Sequence, residues 1–331
     1  ADKPAADKPA ADKPAADKPA ADKPAAAVTL RVASGRKESL VGPLFTAFTA
    51  KTGIKVEVDY NKTPALAMQL ITEGKDSPAD VFYAQESGYL GAMAKAGLLA
   101  EVPADILAQV RPELEGGQKH WLAVSGRARV LVYDPAKVTA ADLPKSLKDL
   151  TGERWKGKLG WAPTNGSFQA HISALRHQWG EAETETWLRA IAANDVRSGK
   201  NNSALVKDVA RGAIEAGLVN HYYSHKLKLT DKVKIHSFAA NNGSNVVMIS
   251  GIGVLGHSQK KDAVAKLLAF LISEDAQKLL SQDNFEYPAR KGMRVHADVA
   301  PLSELKMTPV KQEHLTDAGP TLKLLQKVGL N

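Results

Sequence analysis

Apolar and polar positions follow two different periods along the chain, and each period predicts one kind of element. Short apolar or alternating runs bounded by polar and glycine-containing segments predict strands, at 28–34, 54–60 and 79–84. Apolar residues that return every three to four positions predict amphipathic helices, at 35–53, 64–74 and 88–99. Strands that alternate with helices predict an α/β fold with a mostly parallel sheet.

The longest apolar run, residues 121–134, predicts a strand that is long enough to leave one lobe and enter a second. Further strands, loops and helices are predicted at 157–180, 197–214, 215–223, 233–256 and 260–282. Two lobes between which the chain crosses twice leave a cleft, where ligand sites usually lie. We expect residues 27–127 and 236–285 to form the first lobe, and 128–235 and 286–331 the second.

The N-terminal segment has a different pattern. Residues 1–25 are five copies of ADKPA, each with one Asp and one Lys, so the segment is locally neutral. A proline at every fifth position blocks helix and sheet, and alanine offers little apolar surface for burial. We predict that residues 1–26 form a disordered low-complexity tail outside the fold, either a linker or tether or an engineered addition.

Composition narrows the class of protein. The 331 residues are 44% hydrophobic and 24% charged, which is typical of a soluble globular protein. The chain begins at Ala1 without a basic-plus-apolar signal region, and we interpret it as a mature or trimmed form from which a secretion signal has been removed. The net charge of +8 raises the question of nucleic acid, but the basic residues are scattered and aromatics make up 6%. We therefore expect a solvated surface and no nucleic-acid partner.

One short stretch carries the candidate chemistry. Tyr222 and Tyr223 are adjacent and follow the apolar residues 217–219 and Asn220. Side chains of neighbouring residues in a regular strand point to opposite faces, so the backbone must leave the strand pattern here if both phenols serve one purpose. Because the chain has no cysteine, disulfides, thiolate metal sites and cysteine nucleophiles are excluded, and any metal must be held by oxygen and nitrogen.

Seven segments, spread in order through nearly the whole folded region, point to one family: SGRKESLVGPL, SPADVFYAQ, VSGRARVLVYD, WAPTNGSFQ, NNSALV, GLVNHYY and FEYPA. With them the chain closely resembles the periplasmic ferric-iron-binding proteins, the solute-binding subunits of iron(III) ABC transporters. The resemblance implies a type II periplasmic-binding-protein fold, with two α/β lobes and a hinged cleft. It also implies a periplasmic or extracytoplasmic monomer that delivers its ligand to an ABC permease in the inner membrane.

The resemblance implies that Tyr222 and Tyr223 both coordinate Fe(III), a hard cation that prefers anionic oxygen donors. Relatives often have a Glu at the position of Gln85, so Gln85 is the implied metal residue of the first lobe. Positions where some relatives supply a His or a Tyr hold Lys37 or Arg36, and Ala33. Three explanations follow: exogenous anions and water complete the coordination sphere, Glu86 takes part, or the ligand is not Fe(III).

An oxyanion, phosphate or carbonate, completes the iron sphere in some relatives. The positions that match its contacts lie in loops that open helices, where backbone N–H groups and the helix dipole favour an anion. Arginine forks suit bidentate oxyanions and add to the set. The implied anion-binding residues are Asn165, Gly166, Ser167, Asn202, Asn220, Arg127 and Arg36.

Other functions have weaker support. His221 and His225 have the spacing of one helical turn but no third ligand motif, and Ser125 and Ser167 have no nucleophile-elbow setting. We therefore predict a binding protein and not an enzyme. A carrier of a phosphate- or phosphonate-bearing solute or of thiamine is the alternative, and an envelope scaffold tethered through the ADKPA repeats is a third possibility.

Overall fold

The computed structural model describes residues 28–115, 119–240, 242–308, 310–316 and 318–330, so the predicted tail of residues 1–26 lies outside the described residues. The strands are β1 Thr29–Ser34, β2 Lys55–Tyr60, β3 Val81–Ala84, β4 Trp121–Tyr133, β5 Leu159–Trp161, β6 Arg197–Ser198, β7 Ala216–Asn220, β8 Lys234–His236, β9 Val247–Val254 and β10 Tyr287–Pro288. The α-helices are α1 Glu38–Thr52, α2 Thr63–Glu73, α3 Ser87–Lys95, α4 Ala104–Leu107, α5 Pro112–Glu115, α6 Gly166–Trp179, α7 Glu181–Ala192, α8 Asn202–Ala210, α9 Tyr223–Lys226, α10 Lys261–Leu271, α11 Glu274–Lys278 and α12 Ala318–Lys327.

One continuous path of hydrogen-bonded strands runs through the molecule in the order β2, β1, β3, β9, β4, β7, β5, β6, and β8 and β10 also pair with β4. The outer pairs are parallel, but β9 runs antiparallel to β3 and β4, and β4 antiparallel to β7. The prediction of a mostly parallel sheet is therefore wrong at the centre. The reason is that β4 and β9 are the crossing strands, and a chain that crosses out and back must run in opposite directions.

Strand β4 links the two halves of the sheet, as its length predicts. Residues 121–128 pair with β9, while residues 129–133 pair with β7 and β8. Tyr287 pairs with Gly126, on the β9 side of the crossing. The division into lobes stays a prediction, and these pairings favour placing residues 286–288 with the first lobe and β8 with the second.

Helix ends follow local sequence. Helix α1 ends at Gly53, which adopts a left-handed conformation with φ of 72° and donates its N–H to the carbonyl of Thr49. The single helix predicted over 260–282 is instead divided, because α10 ends at Leu271 and Ser273 caps α11 through its side chain, which accepts from the backbone N–H of Ala276. A π-helical turn, Leu279–Asp283, then leads towards β10.

Two large groups of buried apolar side chains stabilise the fold. One lies around β1, β3, β9 and α10 and includes Phe48 and Phe82. The other lies around β5, α6 and α7 and includes Trp161, Phe168 and Trp187. The crossing strand β4 carries two large buried polar side chains, Arg127 and Arg129, and the candidate site lies around them.

Candidate metal and anion site

The two tyrosines lie in a turn that leaves the sheet. Strand β7 ends at Asn220, Tyr222 has helical backbone angles (φ −74°, ψ −13°), and Tyr223 is the first residue of α9. The two phenol rings are stacked, with centroids 4.4 Å apart and planes inclined by 28°. The predicted departure from strand geometry is thus confirmed, and it brings adjacent side chains to the same place.

The surroundings of the phenols decide their ionisation. Tyr222 is 3% exposed. Burial raises the pKa of Tyr223 well above that of a free phenol, and the neighbouring Tyr222 hydroxyl adds to the rise. Arg36 and Arg127 act in the opposite sense on this pKa because they favour the phenolate. Tyr223 is therefore a neutral phenol near pH 7, and it lies close to positive charge.

Three buried arginines surround the tyrosine turn: Arg36, Arg127 and Arg129. Arg36 donates to the carboxylate of Glu286, and Arg127 donates to the backbone carbonyl of Gln85. Arg129 donates from Nη1 to Asn220 Oδ1 (3.1 Å) and from Nη2 to the carbonyl of Leu218 (2.9 Å). The sequence suggested the first two, and Arg129 joins them because residues two apart in a strand share a face.

These guanidinium groups are only partly satisfied. Among the described residues, Nε and Nη1 of Arg36 and of Arg127, and Nε of Arg129, are buried without a hydrogen-bond partner. Burial lowers the pKa of Arg129 to about 9, because the charged guanidinium loses its hydration inside the protein. Tyr223 and Tyr222 act in the opposite direction and raise that pKa. Unpaired buried cations are unfavourable. The arrangement is therefore suited to added negative charge, either phenolate or bound anion.

Two buried carboxylates partly balance these charges. Glu286 accepts from Arg36 and also from the hydroxyl of Ser125. For Arg36, burial lowers the pKa, but Glu286 and the nearby tyrosines raise it by more, so the pKa is raised overall. Glu286 is a residue that the sequence analysis did not select, although it lies in FEYPA, one of the segments that carry the family resemblance.

The second carboxylate, Glu86, reaches towards α6. Its two oxygens lie 3.7 and 3.8 Å from the position that a Cβ on Gly166 would take. Oε1 accepts from the side-chain amide of Gln85 (2.8 Å) and is 3.8 Å from Nη2 of Arg127. Glu86 is 4% exposed. A carboxylate from the β3–α3 turn thus lies beside the first turn of a long helix, where negative charge is favoured.

The predicted anion residues of the second lobe divide into two groups. Asn165 caps α6 by accepting from the backbone N–H of Ser167 (3.1 Å), and Asn220 donates to Ser167 Oγ (3.2 Å) while it accepts from Arg129. These side chains are engaged within the protein. Asn202 differs, because it is fully buried and neither atom of its amide has a partner in the described part of the chain.

Several nearby candidates take no part. Lys37 is exposed, and Ala33 is buried in β1 between Asp59 of β2 and Phe82 of β3. His221 uses both ring nitrogens: Nδ1 accepts from the N–H of Ala128 (3.1 Å) and Nε2 donates to the carbonyl of Phe285 (2.7 Å). Burial lowers its pKa to about 4. It is a neutral, fully bonded neighbour of the tyrosines, not a free ligand.

Within the described ranges, no group of three or more His, Cys, Asp and Glu side chains could hold a metal ion. The same part of the chain has no helix long and apolar enough to cross a membrane.

Known proteins share this architecture. Residues 76–311 match the family described as bacterial extracellular solute-binding protein. The chain belongs to this family. The Fe(3+)-binding periplasmic protein of Serratia marcescens is 32% identical to this solute-binding protein over 305 residues, which cover 90% of each chain.

Two solved structures extend the likeness. Iron-bound HitA from Pseudomonas aeruginosa superposes on this solute-binding protein with a TM-score of 0.86 and 36% identity, over 92% of this chain and 100% of HitA. FutA of Trichodesmium, solved in complex with iron and citrate, gives a TM-score of 0.78 and 30% identity, over 92% and 100%. These comparisons confirm the predicted two-lobe periplasmic-binding-protein fold and the predicted resemblance to ferric-iron-binding proteins.

Proposed function

We propose that this solute-binding protein captures Fe(III) outside the cytoplasm through the phenolates of Tyr222 and Tyr223, with an oxyanion bound beside them, and delivers the metal to an ABC permease. The observation that carries the proposal is the stacked pair of phenols against three buried arginines with unpaired nitrogens. Two relatives support it, because one is named as an Fe(3+)-binding periplasmic protein and the other, HitA, was solved with iron bound. Binding and release without chemical turnover is the corresponding expectation.

The chemistry follows from the charges. Fe(III) is a strong Lewis acid and stabilises the phenolate form, so each phenol releases a proton when the metal binds. Arg36 and Arg127 already favour the phenolate of Tyr223 and would remain as partners for it. The stacked arrangement presents both phenol oxygens from one turn of backbone. This lowers the entropy cost of ordering the two side chains when the metal binds.

The rest of the coordination sphere is also a proposal. The side-chain oxygen of Gln85 could serve a metal only as a neutral ligand. The amide nitrogen of the same side chain donates to Glu86. Glu86, which contacts Gln85 and Arg127, offers an anionic oxygen with the hardness that Fe(III) prefers. Asn202, with an unsatisfied amide, and Arg36 and Arg127, each with two unsatisfied nitrogens, are the residues best able to bind an oxyanion. Asn165, Gly166, Ser167 and Asn220 would serve mainly by shaping the first turn of α6.

The excess of buried positive charge also suits a phosphate- or phosphonate-bearing solute, which is the second candidate. The same arginines disfavour thiamine, which is a cation. Iron and phosphorus ligands are separable by experiment, since ferric phenolate complexes absorb visible light and a phosphonate complex does not.

The test is a titration of metal-free protein with ferric citrate, followed by the visible absorption band and by calorimetry. Parallel titrations use inorganic phosphate and aminoethylphosphonate. A coloured, saturable complex whose visible band is weakened in Tyr223→Phe supports iron capture. The opposite outcome is a protein that stays colourless and binds phosphate or aminoethylphosphonate equally well in the wild type and in Tyr223→Phe. That outcome would contradict iron capture and favour the second candidate.

A further inference from the structure

Four consecutive residues, 283–286, connect the tyrosine turn to the loop that carries Arg36, and we call them the bridging segment. The segment begins at the end of the π-helical turn Leu279–Asp283 and leads into β10. π-Helical turns are rare and occur frequently at functional sites. The function of this segment is therefore worth deriving from its contacts on each side.

On one side, the bridging segment contacts residues that flank the two phenols. His221 donates from Nε2 to the carbonyl of Phe285 (2.7 Å). Lys226 donates from Nζ to the carbonyl of Asp283 (3.3 Å) and to Asn284 Oδ1 (2.9 Å). One of these anchors precedes the two tyrosines and the other follows them. The bridging segment thus holds the tyrosine turn at its start and at its end.

On the other side, the bridging segment contacts α1 and the loop before it. Asn284 donates from Nδ2 to the carbonyl of Leu40 in α1 (2.8 Å), and Glu286 accepts from Arg36. Asn284 is 5% exposed and uses both ends of its amide. One buried side chain therefore connects the helix that begins at Tyr223 with the helix that follows Arg36.

The backbone of the bridging segment is held in an unfavourable conformation. Phe285 has a φ of 58°, in the left-handed region that bulky residues rarely adopt. Its ring is stacked on that of His225 (centroids 5.0 Å apart) and lies 4.5 Å from that of His296. Strained residues persist where the surrounding contacts fix them, and they cluster at functional sites. Contacts on both sides thus keep the segment in one conformation.

We propose that Asn284 is a positioning residue of the candidate metal site. Through Lys226 and Leu40, its amide fixes α9, and with it the phenol of Tyr223, relative to Arg36. The proposal rests on the proposed iron function. Residues that only orient metal ligands typically change metal affinity 10–100-fold when they are removed, and we expect an effect of this size.

The test measures Fe(III) affinity by competition with a chelator, together with the position and intensity of the visible band. Lys226→Met keeps the aliphatic stem but loses the ammonium donors. It should weaken Fe(III) binding by about 10–100-fold and change the band. Lys226→Arg keeps a donor at this position and should restore both towards the wild type. Lys228→Met removes the same charge from an exposed position two residues later, and this matched control should bind as the wild type does.

The band separates positioning from a general loss of stability, because it reports the bond between iron and phenolate directly. Asn284→Leu removes both polar ends of the amide at nearly constant volume and should weaken Fe(III) binding at least as much as Lys226→Met. Because the two residues act through one contact, the double variant should lose no more affinity than Asn284→Leu alone. Urea unfolding of each metal-free variant checks that it is folded in the titrations.

Three outcomes would overturn the positioning role. They are an unchanged affinity and band in Lys226→Met, an equal weakening in Lys228→Met, and additive losses in the double variant. If Asn284→Leu does not fold, the three lysine variants, all at exposed positions, decide the question. A wild type that forms no coloured complex would instead contradict the proposed iron function, and the positioning role with it.

Discussion

Asn220 donates to the hydroxyl of Ser167 across 3.2 Å, and so joins the end of β7 to the first turn of α6 immediately before the tyrosine turn. The same amide accepts from Arg129. The position of the two phenols is thus tied to both the helix and the buried arginines. Because these contacts are made by the protein itself, they hold the end of β7 against the first turn of α6 without the help of a ligand.

Removing one phenol oxygen should remove most of the metal affinity. We expect Tyr223→Phe to weaken Fe(III) binding by more than about 100-fold, since even the loss of residues that only orient ligands costs 10–100-fold. The measurement is competition with a chelator, read from the visible band. Tyr133→Phe, at the far end of β4, is the matched control and should bind as the wild type does. Equal losses in both variants would argue against direct coordination.

Glu86 should compete with the proposed oxyanion, because its carboxylate lies beside Gly166 and Arg127. If the carboxylate occupies the anion position, added bicarbonate or phosphate should strengthen Fe(III) binding more in Glu86→Gln than in the wild type. We expect the gain in affinity on adding the anion to be about ten-fold larger in the variant. Titrations with and without each anion measure this. Glu101→Gln, an exposed change, serves as control. An identical anion response in wild type and Glu86→Gln would show that the carboxylate does not fill this position.

The buried ion pair between Arg36 and Glu286 should matter for stability. Both side chains are fully buried. Glu286→Gln leaves the guanidinium without its charge partner, and we expect a loss of about 3 kcal/mol in the free energy of unfolding, measured with urea. Asp275→Asn breaks the exposed pair with Lys51 (2.8 Å) and should change the stability far less, because solvent screens an exposed ion pair. Similar small losses in both variants would contradict this difference.

Two buried histidines should make the metal-free protein less stable in mild acid. Burial lowers the pKa of His221 from 6.5 to about 4 and that of His171 to about 3. Both stay neutral in the folded state while the unfolded chain takes up protons below about pH 6.5. Their contribution is thus present above pH 6.5 and decreases as the pH falls from 6.5 towards 4, on the order of 1–3 kcal/mol each.

Urea unfolding of metal-free protein between pH 7 and 4 measures this effect. His171→Gln should flatten the pH dependence of the stability relative to the wild type. A wild-type stability that is constant across this range would contradict the prediction.

The linear pattern predicts most of the elements correctly. Strands β1 to β4 and helices α1 to α3 follow from short-range period, glycine and chain length, whereas the departure of Tyr222 from strand geometry is expected only if both phenols serve one site. Their physical basis is local, since the faces of a helix or strand repeat within a few residues. The tyrosine pair and the ordered family segments likewise identify the neighbourhood of the site from the sequence alone.

Other features depend on contacts between residues far apart in the chain. The antiparallel crossing of β4 and β9, the pairing of Arg36 with Glu286 over 250 positions and the reach of Glu86 to α6 have no local signal. Nor does the sequence show that Asn165 and Asn220 are already engaged while Asn202 is left unsatisfied. Burial and the choice of hydrogen-bond partner are properties of the packed chain. A charged group or an amide without a partner is unfavourable only when tertiary structure removes it from water.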